Sequence, residues 1–189
     1  RNTLERQDLY DREEALVEIG SALDNSLTEE ALIDRLMHVT AEVLRFQACS
    51  VFLHDPKTDT FVLRGSSGAL KSEVGRIAYG RGEGFTGWVC DTGMPILLHH
   101  PQLDPRWRGK YVEFESDQIA SFLAVPIVSR KHSIGAIRVL RRKTENPFLD
   151  NSFGESDLSI MVTIAEQVAS GLENIRNMER VVHSERMIA

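Results

Sequence analysis

Apolar positions near the start fall on one helical face: Leu9, Leu16, Ile19 and Leu23 recur among charged neighbours over 8–23, the heptad-like stripe of a partner-seeking helix. Asp24, Asn25 and Ser26 interrupt it. Thr28 before Glu29 and Glu30 then supplies an N-cap, with carboxylates at the positive end of a second helix. In that helix Leu32, Leu36, Val39 and Val43, flanked by Ile33, Thr40 and Leu44, form a broad stripe suited to lying on a sheet. The period then changes to two. Cys49, Val51 and Leu53 alternate with Ser50, Phe52 and His54, turn formers follow at Asp55, Pro56 and Asp59, and 61–64 resume, which predicts a β-hairpin. Residues 65–93 are Gly-rich and irregular, 95–98 predict a short strand, and 99–118 are polar. Loop of that extent between regular elements usually carries function. Segments 122–128 and 134–140 predict a second hairpin around the turn 129–133. From about Glu155 the pattern predicts one helix of over 30 residues, roughly 45 Å long. Met161, Ile164, Val168, Ile175, Met178 and Val182 follow there at steps of three and four, with one gap at Gly171, as in a coiled-coil seam.

Hairpins at both ends of the strand region imply an α/β (α+β) fold, an antiparallel central sheet with helices on one face. Pairing propensity leaves the strand order open. The expected organisation is a signalling and dimerisation helix over 1–26, a globular domain over 27–174, and a coiled-coil linker over 175–189. Composition narrows the class. With 189 residues and 42% hydrophobic positions the chain suits one core, and no apolar run approaches the roughly 20 residues of a membrane span. No direct membrane contact and a cytoplasmic setting are expected. A net charge of −6 argues against nucleic acid, whose binding depends on neutralising phosphates. Two cysteines, Cys49 and Cys90, are too few for a disulfide scaffold and lack zinc spacing, so both are expected as reduced thiols.

Two stretches carry a family resemblance. Gly82-Glu83-Gly84-Phe85-Thr86-Gly87-Trp88-Val89, followed by Thr92-Gly93-Met94-Pro95-Ile96-Leu97, resembles the segment of GAF domains that enters a short helix over the binding cavity and leaves by a strand. Ser121-Phe122-Leu123-Ala124-Val125-Pro126-Ile127 and Ser133-Ile134-Gly135-Ala136-Ile137-Arg138-Val139-Leu140 resemble the central hairpin of that family. The capped second helix and residues 49–53 agree, so the resemblance runs over about 27–174. It implies the fold and leaves the ligand open, because GAF domains bind cyclic nucleotides, tetrapyrroles, haem, small metabolites, or nothing known. Read physically, Gly82, Gly84 and Gly87 either bring the backbone up to a ligand or make a tight turn against the sheet.

Individual constellations restrict the ligand. Some cyclic-nucleotide-binding GAF domains carry an Asn-Lys pair, a later Phe, then Asp-Glu; here Arg142-Lys143, Phe153 and Asp157-Leu158 stand in those places. Lys143, Phe153 and Asp157 match and the others depart, so a Lys143–Asp157 salt bridge between the strand exit and the last helix is the expected role. Bilin attachment needs a rim thiol, usually beside a His, which neither Cys49-Ser50 nor Cys90-Asp91 provides. Cys49 is expected in the core and Cys90 half-buried. His99 and His100 point opposite ways on an extended segment, so they cannot share one metal, and they are expected as solvated loop residues. The turn 104–108 is expected as a lid, with Trp107 over the cavity. No nucleophile–base pair, metal-ligand spacing or phosphate loop is recognisable, so no catalytic or metal residue is assigned.

These features point to a sensory, regulatory domain that binds a small molecule and passes occupancy through a dimeric coiled coil to an output domain in the same chain. Two alternatives stand beside it: a GAF-fold enzyme that reduces free methionine sulfoxide, which needs a thiol pair in the cavity, and a ligand-free dimerisation spacer whose cavity is filled by side chains. By resemblance the expected ligand-binding residues are Ser50, Arg64, Phe85, Thr86 and Gln118, with Arg64 supplying charge for an anionic group. No cofactor is implied. The expected partner is a second copy, paired in parallel through the terminal stripes. The ending Ser184-Glu185-Arg186-Met187-Ile188-Ala189 resembles the lead-in to the dimerisation helix of sensor histidine kinases, so a histidine kinase output is expected beyond a helix that looks cut rather than finished.

Overall fold

The computed structural model describes residues 28–146, 148, 149 and 151–188, together with 3, 6, 7, 10–14 and 16. Helix α1 (Glu29–Val43) starts where the cap predicts: the Thr28 side chain accepts a hydrogen bond from the Ala31 N–H at 3.2 Å. Its buried stripe is Leu32, Ile33, Leu36, Val39, Thr40 and Val43, and the Thr40 hydroxyl is satisfied by the Leu36 carbonyl at 2.7 Å. The first hairpin is β1 (Ala48–Asp55) and β2 (Thr60–Ser66), and the second is β5 (Ile119–Ser129) and β6 (His132–Arg142). Between them lie β3 (Ala78–Tyr79), helix α2 (Gly84–Thr92) and β4 (Ile96–His99). The stretch expected to be irregular over 65–93 thus contains a short strand that extends the sheet. The order is β3-β2-β1-β6-β5-β4, and every neighbouring pair is antiparallel.

Strand alternation sorts the sheet into two faces. Cys49, Val51, Leu53, Leu123, Val125, Ile127, Ile137 and Val139 pack with the buried residues of α1 and of α3 (Glu155–Ile188). Ala48, Phe52, Phe61, Leu63, Phe122, Ala124, Ala136 and Leu140 form a second core with Tyr79 and with Phe85, Val89 and Cys90 of α2. The expectation of helices on one face therefore holds for α1 and α3, while α2 lies on the opposite face. The two thiols fall on opposite sides of the sheet, and Cys90 is fully buried rather than half-buried.

α3 runs without a break for 34 residues, about 50 Å. The seam expected along it divides. Met161, Ile164, Val168 and Ile175 are buried against the domain's own sheet and α1, so they are core and not a dimer contact. From Arg176 onward every described residue is exposed, Met178 and Val182 included. The stripe over 8–23 lies mostly outside the described residues; Leu16 is helical, half-buried, and packs on the α1–α3 core. At the start of α3, Asp157 pairs with Arg141 at 3.8 Å instead of with Lys143, which is exposed. Arg141 also donates to the Arg45 and Ser152 carbonyls, each at 2.7 Å, and stacks over Phe153 at 4.2 Å. That places the buried carboxylate beside a planar donor that other bonds already fix in position.

Candidate functional site

The face covered by α2 carries one charged side chain from the middle of the sheet. Arg138 stands on β6 directly across from Ser50 on β1 and Ala124 on β5, and the small residues on both sides leave room for it. Above it, α2 begins at Gly84 (φ +61°), a left-handed conformation that glycine adopts without strain. One turn on, a Cβ at Gly87 would sit 2.4 Å from the Gly80 carbonyl oxygen, so the α2 start is pressed onto the β3 exit by a residue without a side chain. The glycines of this segment make the tight turn. This packing brings Phe85 against Phe122 (ring centroids 5.2 Å apart) and Thr86 to Arg138.

The guanidinium of Arg138 donates through Nη1 to Tyr79 Oη at 3.0 Å and Thr86 Oγ1 at 3.1 Å, and through Nη2 to the Tyr111 carbonyl. Phe52 lies beneath it, 4.9 Å to the ring centroid. Its ionic partner is Glu113, Oε1 to Nη2 at 3.6 Å, and the side chains of both are 1% exposed. Glu113 Oε1 accepts from Ser50 Oγ at 2.5 Å. Arg138 Nε and Glu113 Oε2 are buried with no hydrogen-bond partner. Burial works against the charge of Arg138, but Tyr79 and Glu113 outweigh it and hold its pKa above the ordinary value.

A lid over 104–114 closes the site. The Asp104 carboxylate accepts from Arg106 Nε and Nη2 at 2.9 and 2.7 Å, and these bonds hold its pKa down to about 2. Arg106 in turn lies over the Trp88 ring at 4.7 Å, and Trp107 packs on Phe85 at 5.5 Å. Lys110 Nζ donates to Glu83 Oε1 at 2.6 Å, while Glu83 Oε2 accepts the Gly80 N–H at 2.8 Å. Tyr79 Oη donates to the Lys110 carbonyl. The space left under the lid, between Tyr79, Phe85, Thr86, Trp107, Phe122 and Arg138, is about 10 Å³, room for about one water.

Of the residues expected from sequence, Phe85 and Thr86 line this pocket, and Ser50, outside the lining itself, joins the cluster through its place opposite Arg138 and its bond to Glu113. Arg64 does not: it is the extra residue at the β1–β2 irregularity, half-buried, outside the pocket lining. Gln118 is the last residue of the short 3₁₀ turn Ser116–Gln118 before β5 and accepts from Arg142 Nη2 at 2.6 Å, also outside the lining. Trp107 covers the cavity as expected. His99 and His100 are exposed. Arg138, Glu113, Tyr79 and Tyr111 were not anticipated, although Arg138 is the one charged residue in the apolar run 134–140, a signal of a buried charge in a central strand. Burial pushes the Cys49 and Cys90 thiols up, out of the range in which a thiolate forms, and the sheet separates them. Among the described residues no group of three His, Cys, Asp or Glu side chains is placed to hold a metal, and no helix is long and apolar enough to cross a membrane.

The nitrogen fixation protein AnfA of Azotobacter vinelandii is 29% identical to this chain over 149 residues, 77% of the chain and 27% of AnfA. The dual 3′,5′-cyclic-AMP and -GMP phosphodiesterase 11A of Takifugu rubripes is 28% identical over 159 residues, 75% of the chain and 18% of that enzyme. The chain thus spans less than a third of either relative. The GAF domain of a phosphoenolpyruvate-protein phosphotransferase from Coxiella burnetii superposes with a TM-score of 0.78 at 22% identity, over 90% of this chain and 98% of that one. That likeness fixes the fold: a six-stranded antiparallel sheet with helices packed on it. The GAF domain family matches residues 28–172, the span of that sheet, its lid and most of the buried part of α3, and the chain belongs to this family.

Proposed function

We propose that this sensory, regulatory domain binds a small molecule between the sheet and the 104–114 lid, against Arg138, and is one part of a longer regulatory protein. The buried Arg138 carries the reading. A guanidinium taken out of water and left with a free Nε has a large desolvation cost that hydrophobic residues of similar size avoid, so its retention favours recognition of a ligand over stability. Ser50, Phe85 and Thr86 are the proposed contacts beside it. Coupling follows from placement: β6 carries Arg138 on one face, and its neighbour β5 packs on α3 on the other. A ligand that favours one α3 arrangement by about 1 to 3 kcal/mol is enough to regulate an output domain.

The exposed apolar residues Met178, Val181 and Val182 support pairing of two copies along the free end of α3. A histidine kinase remains the proposed output on the strength of residues 184–189. The experiment is native mass spectrometry of gently purified full-length protein, with an assay for ATP-dependent autophosphorylation on His. A retained small molecule is expected. A pocket that neither retains a molecule nor responds to a metabolite panel supports a second reading, the ligand-free spacer, which the near-complete filling of the cavity favours.

A further inference from the structure

The two edges of the Arg138 guanidinium are unequally served. Nη1 is occupied by Tyr79 and Thr86. The Nε/Nη2 edge is the fork that a carboxylate meets with two parallel hydrogen bonds. Here that fork faces the lid and is covered without being filled: Nη2 donates to the Tyr111 carbonyl, Glu113 Oε1 stands 3.6 Å away, and Nε has no partner. Glu113 is no better placed, since Ser50 satisfies Oε1 while Oε2 is buried and unpartnered. The pair therefore keeps one orphaned atom on each side, the arrangement in which a buried ion pair contributes least. Tyr111 and Glu113 belong to one short stretch of lid, which presents its carbonyl to Nη2 and its carboxylate no nearer than 3.6 Å.

We infer that the ligand of this pocket is a small organic carboxylate with an apolar body, and that Glu113 is its built-in stand-in. The inference rests on the small-molecule reading above and deepens it. When 111–113 lift, the carbonyl and the carboxylate leave the fork together. An untethered carboxylate then takes Nε and Nη2, and Ser50 Oγ is released to donate to it. One buried positive charge matches one carboxylate, whereas a phosphate dianion brings a second charge with no counterpart. Phe52, Phe85, Trp107 and Phe122 supply the walls for the apolar body.

The probes are benzoate, benzamide, acetate, acetamide and inorganic phosphate, read by the fluorescence of Trp88 and Trp107 and by melting temperature on the full chain. Wild-type protein is expected to bind benzoate at least tenfold more tightly than benzamide or phosphate. In Glu113→Ala the competing carboxylate is gone, so benzoate affinity is expected to rise at least tenfold, and acetate but not acetamide is expected to raise the melting temperature. If Glu113→Ala does not fold, the wild-type comparison decides alone. In Arg138→Met, Glu113→Leu, where both charges go together, the preference for acid over amide is expected to vanish. Equal binding of benzoate and benzamide overturns the carboxylate assignment and leaves the small-molecule reading standing. Phosphate binding as tight as benzoate likewise overturns it. No response to any probe in wild type and Glu113→Ala also overturns the carboxylate assignment, while a retained molecule in native mass spectrometry decides the small-molecule reading separately.

Discussion

Ser50 Oγ donates to Glu113 Oε1 at 2.5 Å, and the other oxygen of that buried carboxylate has no partner. Removing a donor from a buried charge costs more than the net value of an average hydrogen bond. Ser50→Ala is expected to destabilise the domain by about 1 to 3 kcal/mol, read as a lower urea midpoint at unchanged slope. An unchanged midpoint would place Glu113 in water rather than under the lid. The lid ends are acid-sensitive with a definite sign. Asp104, held down to about 2 by Arg106, and Glu83, lowered by the hydrogen bond from Lys110, each stabilise the closed lid above the ordinary carboxylate range. That contribution fades as pH falls from about 4 toward 2. Trp107 fluorescence is therefore expected to report lid loosening in that window and to stay flat from pH 5 to 8.

At the scale of elements, α3 shows why spacing alone misassigned a surface. Steps of three and four put residues on one helical face, and that face is the same whether it meets a second helix or the helix's own sheet. Val168→Asp places a charge in the monomer core and is expected to abolish folding, with loss of the near-UV circular dichroism signal. Val182→Asp falls on the exposed end and is expected to leave the fold intact. At α2, Gly87→Ala is expected to cost about 1 to 3 kcal/mol, because its Cβ would meet the backbone oxygen of Gly80 rather than a movable side chain. A chemical-denaturation midpoint within error of wild type would show that the β3 exit yields. Helix α1 is the opposite case. Its cap and stripe were both legible, since each depends on residues within 16 positions of one another.

For the whole molecule, the free end of α3 carries Met178, Val181, Val182, Met187 and Ile188 exposed on a helix that extends past the core. A second copy laid along that end would bury them, so sedimentation is expected to give a dimer at tens of micromolar and a monomer for Val182→Asp. A wild-type monomer at that concentration would remove the proposed route from pocket to output through paired helices. The pocket and that route sit on opposite faces of one sheet, with β5 and β6 between them. Any signal must then be a small displacement of the hairpin, which a close-packed core transmits as a shift of α3 rather than absorbs.

Local chemistry written in the sequence determined the elements: the Thr28 cap, the period-two hairpins, the glycine turn into α2 and the uninterrupted last helix each depend on near neighbours. The GAF motifs carried the fold class with them. Tertiary structure alone decided what faces what. Strand order brought Ser50, Ala124 and Arg138 into one row from three separate strands, and lid closure carried Glu113 onto Arg138 from a loop whose path no periodicity encodes. The same distinction separates Ser50, Phe85 and Thr86, fixed by alternation and by the helix start, from Arg64, displaced by the irregularity between β1 and β2. A one-residue slip in a strand exchanges the two faces of a sheet. Side-chain identity can name a charge, and only the register and the packing decide whether it lies in the pocket.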